Sequence, residues 1–317
     1  MFPDTFPEAL TMSIRLLALL WLVPGLCAAE TREVRFDWLT QGEASGSLVT
    51  RIGEDGERHS RFEFNDRGRG PTIEETIRLD AAGLPVSITV EGKSYMGAPA
   101  KEAFRRSDGT ARWTSTLDRG ERDIDSPAFY AAAEGTPDQI ALLARALLKA
   151  KDQRLDLLPA GEASIEALRS HSFDVKGQPV RATLHAISGL GFTPAFVWLD
   201  ENDELFALSY GWMGLAPQGA TGVVEEAGRL QEEAEAAWLR KRAQELTQAM
   251  PGSWCLRNAR WLDVDAGEMQ PASNIRVKDG VIEAVGAPGD VDCADLASID
   301  AGGRVVLPGL WDMHVHA

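Results

Sequence analysis

Leu84-Pro85-Val86-Ser87-Ile88-Thr89-Val90 carries an apolar side chain at every second residue. Successive side chains of a strand point to opposite faces, so Leu84, Val86, Ile88 and Val90 share one face, and the period of two predicts a half-buried β-strand. Immediately upstream, Ile73, Ile77 and Leu79 follow the same alternation, and Asp80-Ala81-Ala82-Gly83 supplies turn chemistry between the two runs. An antiparallel hairpin is expected. Further out, Phe62 and Phe64 present another inward face, and Ile52-Gly53-Glu54-Asp55-Gly56 reads as one more tight connection. The texture of short alternating segments broken by Gly and Asp extends from Glu33 to about Leu117.

A helix is expected next. Thr136 suits an N-cap, Pro137 the first helical position, and Gln139 the capping-box partner, while Ile140, Leu143, Ala144, Leu147 and Leu148 form one apolar stripe. Lys149 and Lys151 fall at the negative end of its dipole. Strands resume at Ser172 to Lys176, Val180 to Ile187, Ala195 to Leu199 and Leu205 to Tyr210, with Asp200-Glu201-Asn202-Asp203 closing a hairpin. Residues 30–218 therefore read as one antiparallel β domain carrying a helix, its ligand unnamed by any motif. His59, His171 and His185 lack acids or cysteines at ligand spacing, and Trp113, Trp198 and Trp212 read as core or rim residues.

The charge balance excludes one class of partner. Lys plus Arg is 32 against 48 Asp plus Glu, a net charge of −16, which repels nucleic acid. Hydrophobic residues make up 44% and charged residues 25% of the 317 residues, the composition of a globular chain and not of a disordered or collagenous one. Arg15 precedes the apolar block Leu16-Leu17-Ala18-Leu19-Leu20-Trp21-Leu22-Val23, and Ala28-Ala29 follows it. That block is too short for a spanning helix of roughly 20 residues but fits a signal peptide over residues 1–29, with Met12 as the better initiator. Export to the periplasm or medium is expected, with no stable membrane span after cleavage. Cys255 and Cys293 would remain in the mature chain, free to pair or to stay as buried thiols. Residues 219–250 read as a connector helix: Val223, Ala227, Leu230, Ala234, Ala237 and Trp238 make a narrow stripe, and Pro251-Gly252 stops it.

After Ser253 the pattern changes. Leu256 to Val264, Asn274 to Lys278 and Val281 to Gly286 read as strands, the last two joined by Asp279-Gly280. Ser298-Ile299-Asp300-Ala301-Gly302-Gly303-Arg304-Val305-Val306 then runs into Leu307-Pro308-Gly309-Leu310-Trp311-Asp312-Met313-His314-Val315-His316. Along an extended segment Asp312, His314 and His316 point the same way, so two imidazoles can chelate one divalent cation with the carboxylate beside them as a supporting partner.

Residues 254–317 resemble the N-terminal end of the amidohydrolase superfamily, a small β-sandwich subdomain followed by strand 1 of a (β/α)8 barrel. The wording from Leu307 to His316 is most similar to the imidazolonepropionase and Xaa-Pro dipeptidase-type branch. The resemblance implies a hydrolase acting on a carbon–nitrogen bond of a small amide or dipeptide, with one or two zinc ions in the complete family member. His314 and His316 would be metal ligands, and Asp312 would support them. A whole barrel takes on the order of 250 residues, so the ligands and general base that the family carries on later strands fall outside this sequence. The expected fold is thus mainly β with two helices: an antiparallel β domain, a helix, and the start of a truncated (β/α)8 barrel. The chain alone is expected to lack catalysis, as the front of a longer or prematurely ended reading frame whose strand from Val305 to His316 would be an unpaired edge. The alternative is a non-enzymatic secreted or periplasmic binding protein with a vestigial amidohydrolase segment.

Overall fold

The computed structural model describes residues 31–309. The signal peptide read at residues 1–29, like Asp312, His314 and His316, lies outside them. The protein is mainly β with two helices, and it divides between Trp238 and Leu239 into two compact units.

The first unit is built on one sheet of fifteen strands. Strands β1 (Arg32–Thr40), β2 (Glu43–Ile52), β3 (Arg58–Phe64), β4 (Thr72–Leu79), β5 (Pro85–Lys93), β6 (Pro99–Ser107), β7 (Thr110–Thr114) and β8 (Arg119–Asp123) form an antiparallel meander. The β4–β5 hairpin turns at Asp80, whose carboxylate accepts from the backbone N–H of Ala82 and Leu84. The chain then crosses to the far edge with β9 (Ala128–Tyr130), followed by helix α1 (Asp138–Lys149), a short 3-10 turn (Lys151–Gln153) and β10 (Arg154–Leu158). From there β11 (Glu162–Val175), β12 (Gln178–Ser188), β13 (Ala195–Asp200), β14 (Leu205–Ser209) and β15 (Met213–Pro217) return inward until β15 pairs with β1. Every pairing in this sheet is antiparallel except β9 with β10.

Helix α1 sits against the inner face of that sheet. Leu48, Ile77, Ile88, Phe104, Leu158 and Val197, from strands in both halves, join Leu142, Leu143 and Leu147 of the helix in one cluster. The single apolar stripe expected for the helix is therefore corrected. Asp138, Gln139, Ala141, Leu142, Leu143, Ala144, Ala146 and Leu147 are all buried, because core surrounds the helix on most sides.

A second cluster covers the opposite face, where Leu39, Phe173, Leu184, Trp198 and Phe206 meet Val223, Ala227 and Leu230 of helix α2 (Gly222–Leu246). Strands β13 and β14 lie between the two clusters: Val197 and Leu199 belong to the first and Trp198 to the second. Such two-sided burial gives continuous apolar runs instead of alternation. Of the residues 219–250 read as a connector helix, the N-terminal part of α2 packs on the first unit and the later part is exposed. Strands β8, β9, β10 and β15 and the first half of β11 carry little signal in the sequence: the first four are short, and the first half of β11 does not alternate cleanly.

The second unit is a small sheet of β16 (Ser253–Asp263), β17 (Glu268–Lys278), β18 (Val281–Gly286), β19 (Ala297–Asp300) and β20 (Val305–Val306). Asp279 and Gly280 both take positive φ, 49° and 80°, which is what a two-residue hairpin turn between right-twisted strands requires. Ala259, Ile275, Val277 and Ala301 form the core, with Trp254, Leu256, Trp261 and Val306 packed on it. The described residues form one sheet where a small sandwich was expected, and most of the strand read as the opening of a barrel, Leu307 to His316, lies outside them. One expectation is corrected: Val305 and Val306 are not an unpaired edge, because β20 pairs in parallel with Arg260 and Trp261 of β16.

Candidate functional site

Two arrangements of polar side chains stand out, one in each unit. In the first, charged residues occupy inward positions of three strands that also turn apolar residues inward. Arg58 shares the buried face of β3 with Phe62, Glu75 that of β4 with Ile73 and Ile77, and Glu102 that of β6 with Ala100 and Phe104. Pairing register aligns Thr50, Ser60, Glu75, Val90 and Glu102 in one row across five strands. That row faces the segment leading into α1.

Each buried carboxylate is met by donors. Glu102 accepts from the Tyr130 hydroxyl and from the Ala133 N–H at 3.0 Å. Glu75 accepts from the Thr136 N–H at 3.2 Å, the Thr136 hydroxyl at 2.5 Å and Gln139 Nε2 at 2.8 Å. Arg58 clasps Asp138 through two bonds of 2.8 Å, Nε to Oδ2 and Nη2 to Oδ1. Burial pushes the Glu75 carboxyl up to about 7; the negative charge of Asp138 adds to this and the bonds from Thr136 and Gln139 oppose it. A Cβ at Gly135 would stand 2.7 Å from Gln139 Nε2 and 3.0 Å from Glu75 Oε1, so a larger residue there would have to displace these side chains.

This network corrects the capping scheme. Thr136 does not cap the helix with its side chain: its hydroxyl donates to Glu75, the cap position falls on Pro137, and Gln139 spends its amide on Glu75 and Ala132. A buried anion at the helix N-terminus replaces the capping box. Together these groups seat α1 in the sheet. The signal in the sequence was a charged residue at an inward position of an alternating strand, visible in Thr72-Ile73-Glu74-Glu75-Thr76-Ile77.

The second arrangement fixes the C-terminal approach. Asn258, in a left-handed conformation with φ of 55°, donates from Nδ2 to Asp300 Oδ1 at 3.0 Å, and the Gly302 N–H donates to the same oxygen at 2.8 Å. The Gly302 and Asn258 bonds hold the Asp300 carboxyl below its ordinary range. The Gly303 N–H donates to the Asn258 carbonyl at 2.8 Å and the Ala301 N–H to the Arg257 carbonyl at 2.8 Å. Asn258 and the Asp300-Ala301-Gly302-Gly303 turn thus lock the path into β20 and the Leu307-Pro308-Gly309 segment. Cys255 and Cys293 are joined in a disulfide, with Cα atoms 5.8 Å apart. Asp312, His314 and His316 lie outside the described residues.

The remaining histidines are engaged singly. His59 lies beside Thr76 and Glu57, and His171 Nε2 is 2.9 Å from Glu226. His185 is buried with Nδ1 3.1 Å from the Thr183 carbonyl, and burial lowers its pKa. Among the described residues no three His, Cys, Asp or Glu side chains are grouped to hold a metal ion. Trp198 is fully buried in the second cluster, Trp113 Nε1 donates to Asp118 at 3.2 Å, and the half-exposed Trp212 lies under the Arg67 guanidinium at 5.8 Å.

No family model matches the chain. A segment of 68 residues, 21% of the chain, is 37% identical to an adenine deaminase of Ruegeria pomeroyi, and 67 residues are 36% identical to adenine deaminase 3 of Rhizobium meliloti. The chain spans 11% of the length of each. Among solved structures, a β-barrel-like protein of the domain of unknown function DUF1849 from Brucella abortus aligns over 58% of this chain and 93% of its own, at 11% identity and a TM-score of 0.37. The deaminase likeness is weak and partial, and it supports the amidohydrolase superfamily for a segment alone.

Proposed function

We propose that residues 254–317 are the leading part of a metal-dependent hydrolase of the amidohydrolase superfamily that cleaves a carbon–nitrogen bond. The observation that carries this reading is the segment shared with the two adenine deaminases, taken with the spacing Pro308-Gly309-X-X-Asp312-X-His314-X-His316. In this reading His314 and His316 ligate a divalent metal and Asp312 orients one of the rings. Two imidazoles suit zinc, and a carboxylate beside them suits the orienting of a ring. When bound, the metal supplies water whose pKa is lowered toward neutrality. The chain's own contribution is placement: the Asn258–Asp300 lock and the Gly302-Gly303 turn deliver the backbone to Pro308 in one direction, which a ligand pair two residues apart on a strand needs.

Within the superfamily, the Leu307 to His316 wording favours the imidazolonepropionase and Xaa-Pro dipeptidase-type branch, and the relatives' names add deamination of adenine or a similar heterocycle to amide and dipeptide hydrolysis. Export to the periplasm or medium is part of the proposal. The short apolar block before Ala28-Ala29 and the Cys255–Cys293 bond support it.

Zinc analysis after dialysis tests the ligands. The 317-residue chain should retain zinc weakly and His316→Ala should lose it, while a longer protein carrying the following barrel strands should hold zinc tightly and hydrolyse an amide, a dipeptide or adenine. Zinc retention unchanged by His314→Ala and His316→Ala, or full activity of the longer protein without metal, would overturn the reading.

A further inference from the structure

A cavity of about 570 Å3 opens in the first unit where α1 ends, inside the range of roughly 300–1,000 Å3 usual for ligand pockets. Its inner wall is apolar: Leu84, Ala146 and Leu155 are buried in the fold yet line it, and Pro127 and Ala150 continue the surface. Its mouth is charged. Lys149 and Lys151 stand there, and neither makes an ion pair among the described residues. The other charges at the rim are engaged: Arg154 pairs with Glu162, and Asp156 accepts from Ser126 Oγ at 2.7 Å.

Lys149 and Lys151 thus place two ammonium groups beside an apolar recess. Lys149 has a bland role at the helix C-terminus, where cations complement the dipole. Lys151 lies beyond the helix, in a turn whose Asp152 and Gln153 both take positive φ, 57° and 54°. Non-glycine residues adopt that conformation at a cost of about 1 kcal/mol or more each.

We infer that this cavity binds a single-chain amphiphile with an anionic head, its alkyl tail against Leu84, Ala146 and Leu155 and its carboxylate on Lys149 and Lys151. The reading is independent of the metal-dependent activity proposed above, and its test uses no zinc. Apolar contact supplies the affinity, and the two ammoniums select the sign of the head group.

Titration calorimetry of the full chain with dodecanoate, below its micellar concentration, decides the matter. Binding should saturate at one site per chain. Reversing both charges, Lys149→Glu with Lys151→Glu, should weaken it at least about tenfold, the loss expected when charge-assisted hydrogen bonds are removed. Dodecyltrimethylammonium should bind at least about tenfold more weakly than dodecanoate, and acetate, a head without a tail, should not compete. Ala82→Trp, a change at an exposed position on the rim, should abolish saturable binding while leaving the circular dichroism spectrum unchanged. Equal affinity in the charge-reversed protein, equal affinity for the cationic amphiphile, or heat that never saturates would overturn the assignment.

Discussion

A carboxylate on the buried face of a strand is costly unless donors surround it, and Glu75 has three while remaining 2% exposed. Burial still wins, because the group titrates near 7 when folded against an ordinary 4.5. Below about 4.5 the carboxyl is protonated in both states and contributes no difference. Between 4.5 and 7 the folded chain keeps a proton that the unfolded chain has lost, so stability falls as pH rises through that window and is level above it. The full shift corresponds to roughly 3 kcal/mol. Glu75→Gln is neutral throughout, so the difference in Tm between wild type and variant should grow from pH 4.5 to 7 in favour of the variant and then hold. Parallel Tm profiles for the two proteins would show that Glu75 is not the titrating group. At this scale the structure places Glu75, Glu102 and Arg58 at inward positions, and their partners come from residues 130–139, far along the chain.

Among elements, α1 separates what local patterning says from what packing demands. Thr136, Pro137 and the apolar residues from Ile140 to Leu148 located the helix within a residue or two of its observed start. They could not show that strands from both halves of one sheet would converge on it, because that depends on β15 returning to pair with β1. A helix enclosed in this way has few positions that tolerate truncation. Leu147→Ala, at a fully buried site, should cost about 2–5 kcal/mol in urea unfolding. Leu246→Ala, at the 74% exposed end of α2, should change stability by less than about 0.5 kcal/mol. Comparable losses at both sites would refute the central placement of α1.

For the whole molecule, the two units carry separate cores. The first contains both large clusters and all the contacts of α1, while the second rests on Ala259, Ile275, Val277 and Ala301 with a disulfide tying β16 to the segment before β19. Residues 31–250 should therefore fold alone and unfold in a single cooperative transition followed by circular dichroism and tryptophan fluorescence. A non-cooperative or unfolded profile for that piece, with the longer chain folded, would place part of its core elsewhere.

By itself the sequence determined the β character of the chain, the hairpins at Asp80-Ala81-Ala82-Gly83 and Asp279-Gly280, the two helices, and the Asp312, His314, His316 spacing on which the proposed chemistry rests. Those are local properties: side-chain alternation, turn dihedrals and motif spacing are written within a few residues of one another. Only the tertiary structure decided that fifteen strands join one sheet, that β13 and β14 are covered on both faces, and that a row of buried polar groups receives the start of α1. It alone brought Lys149 and Lys151 to the mouth of an apolar recess. Each of these depends on pairings between residues distant in the chain, and local periodicity carries no information about which strand will be the neighbour of which.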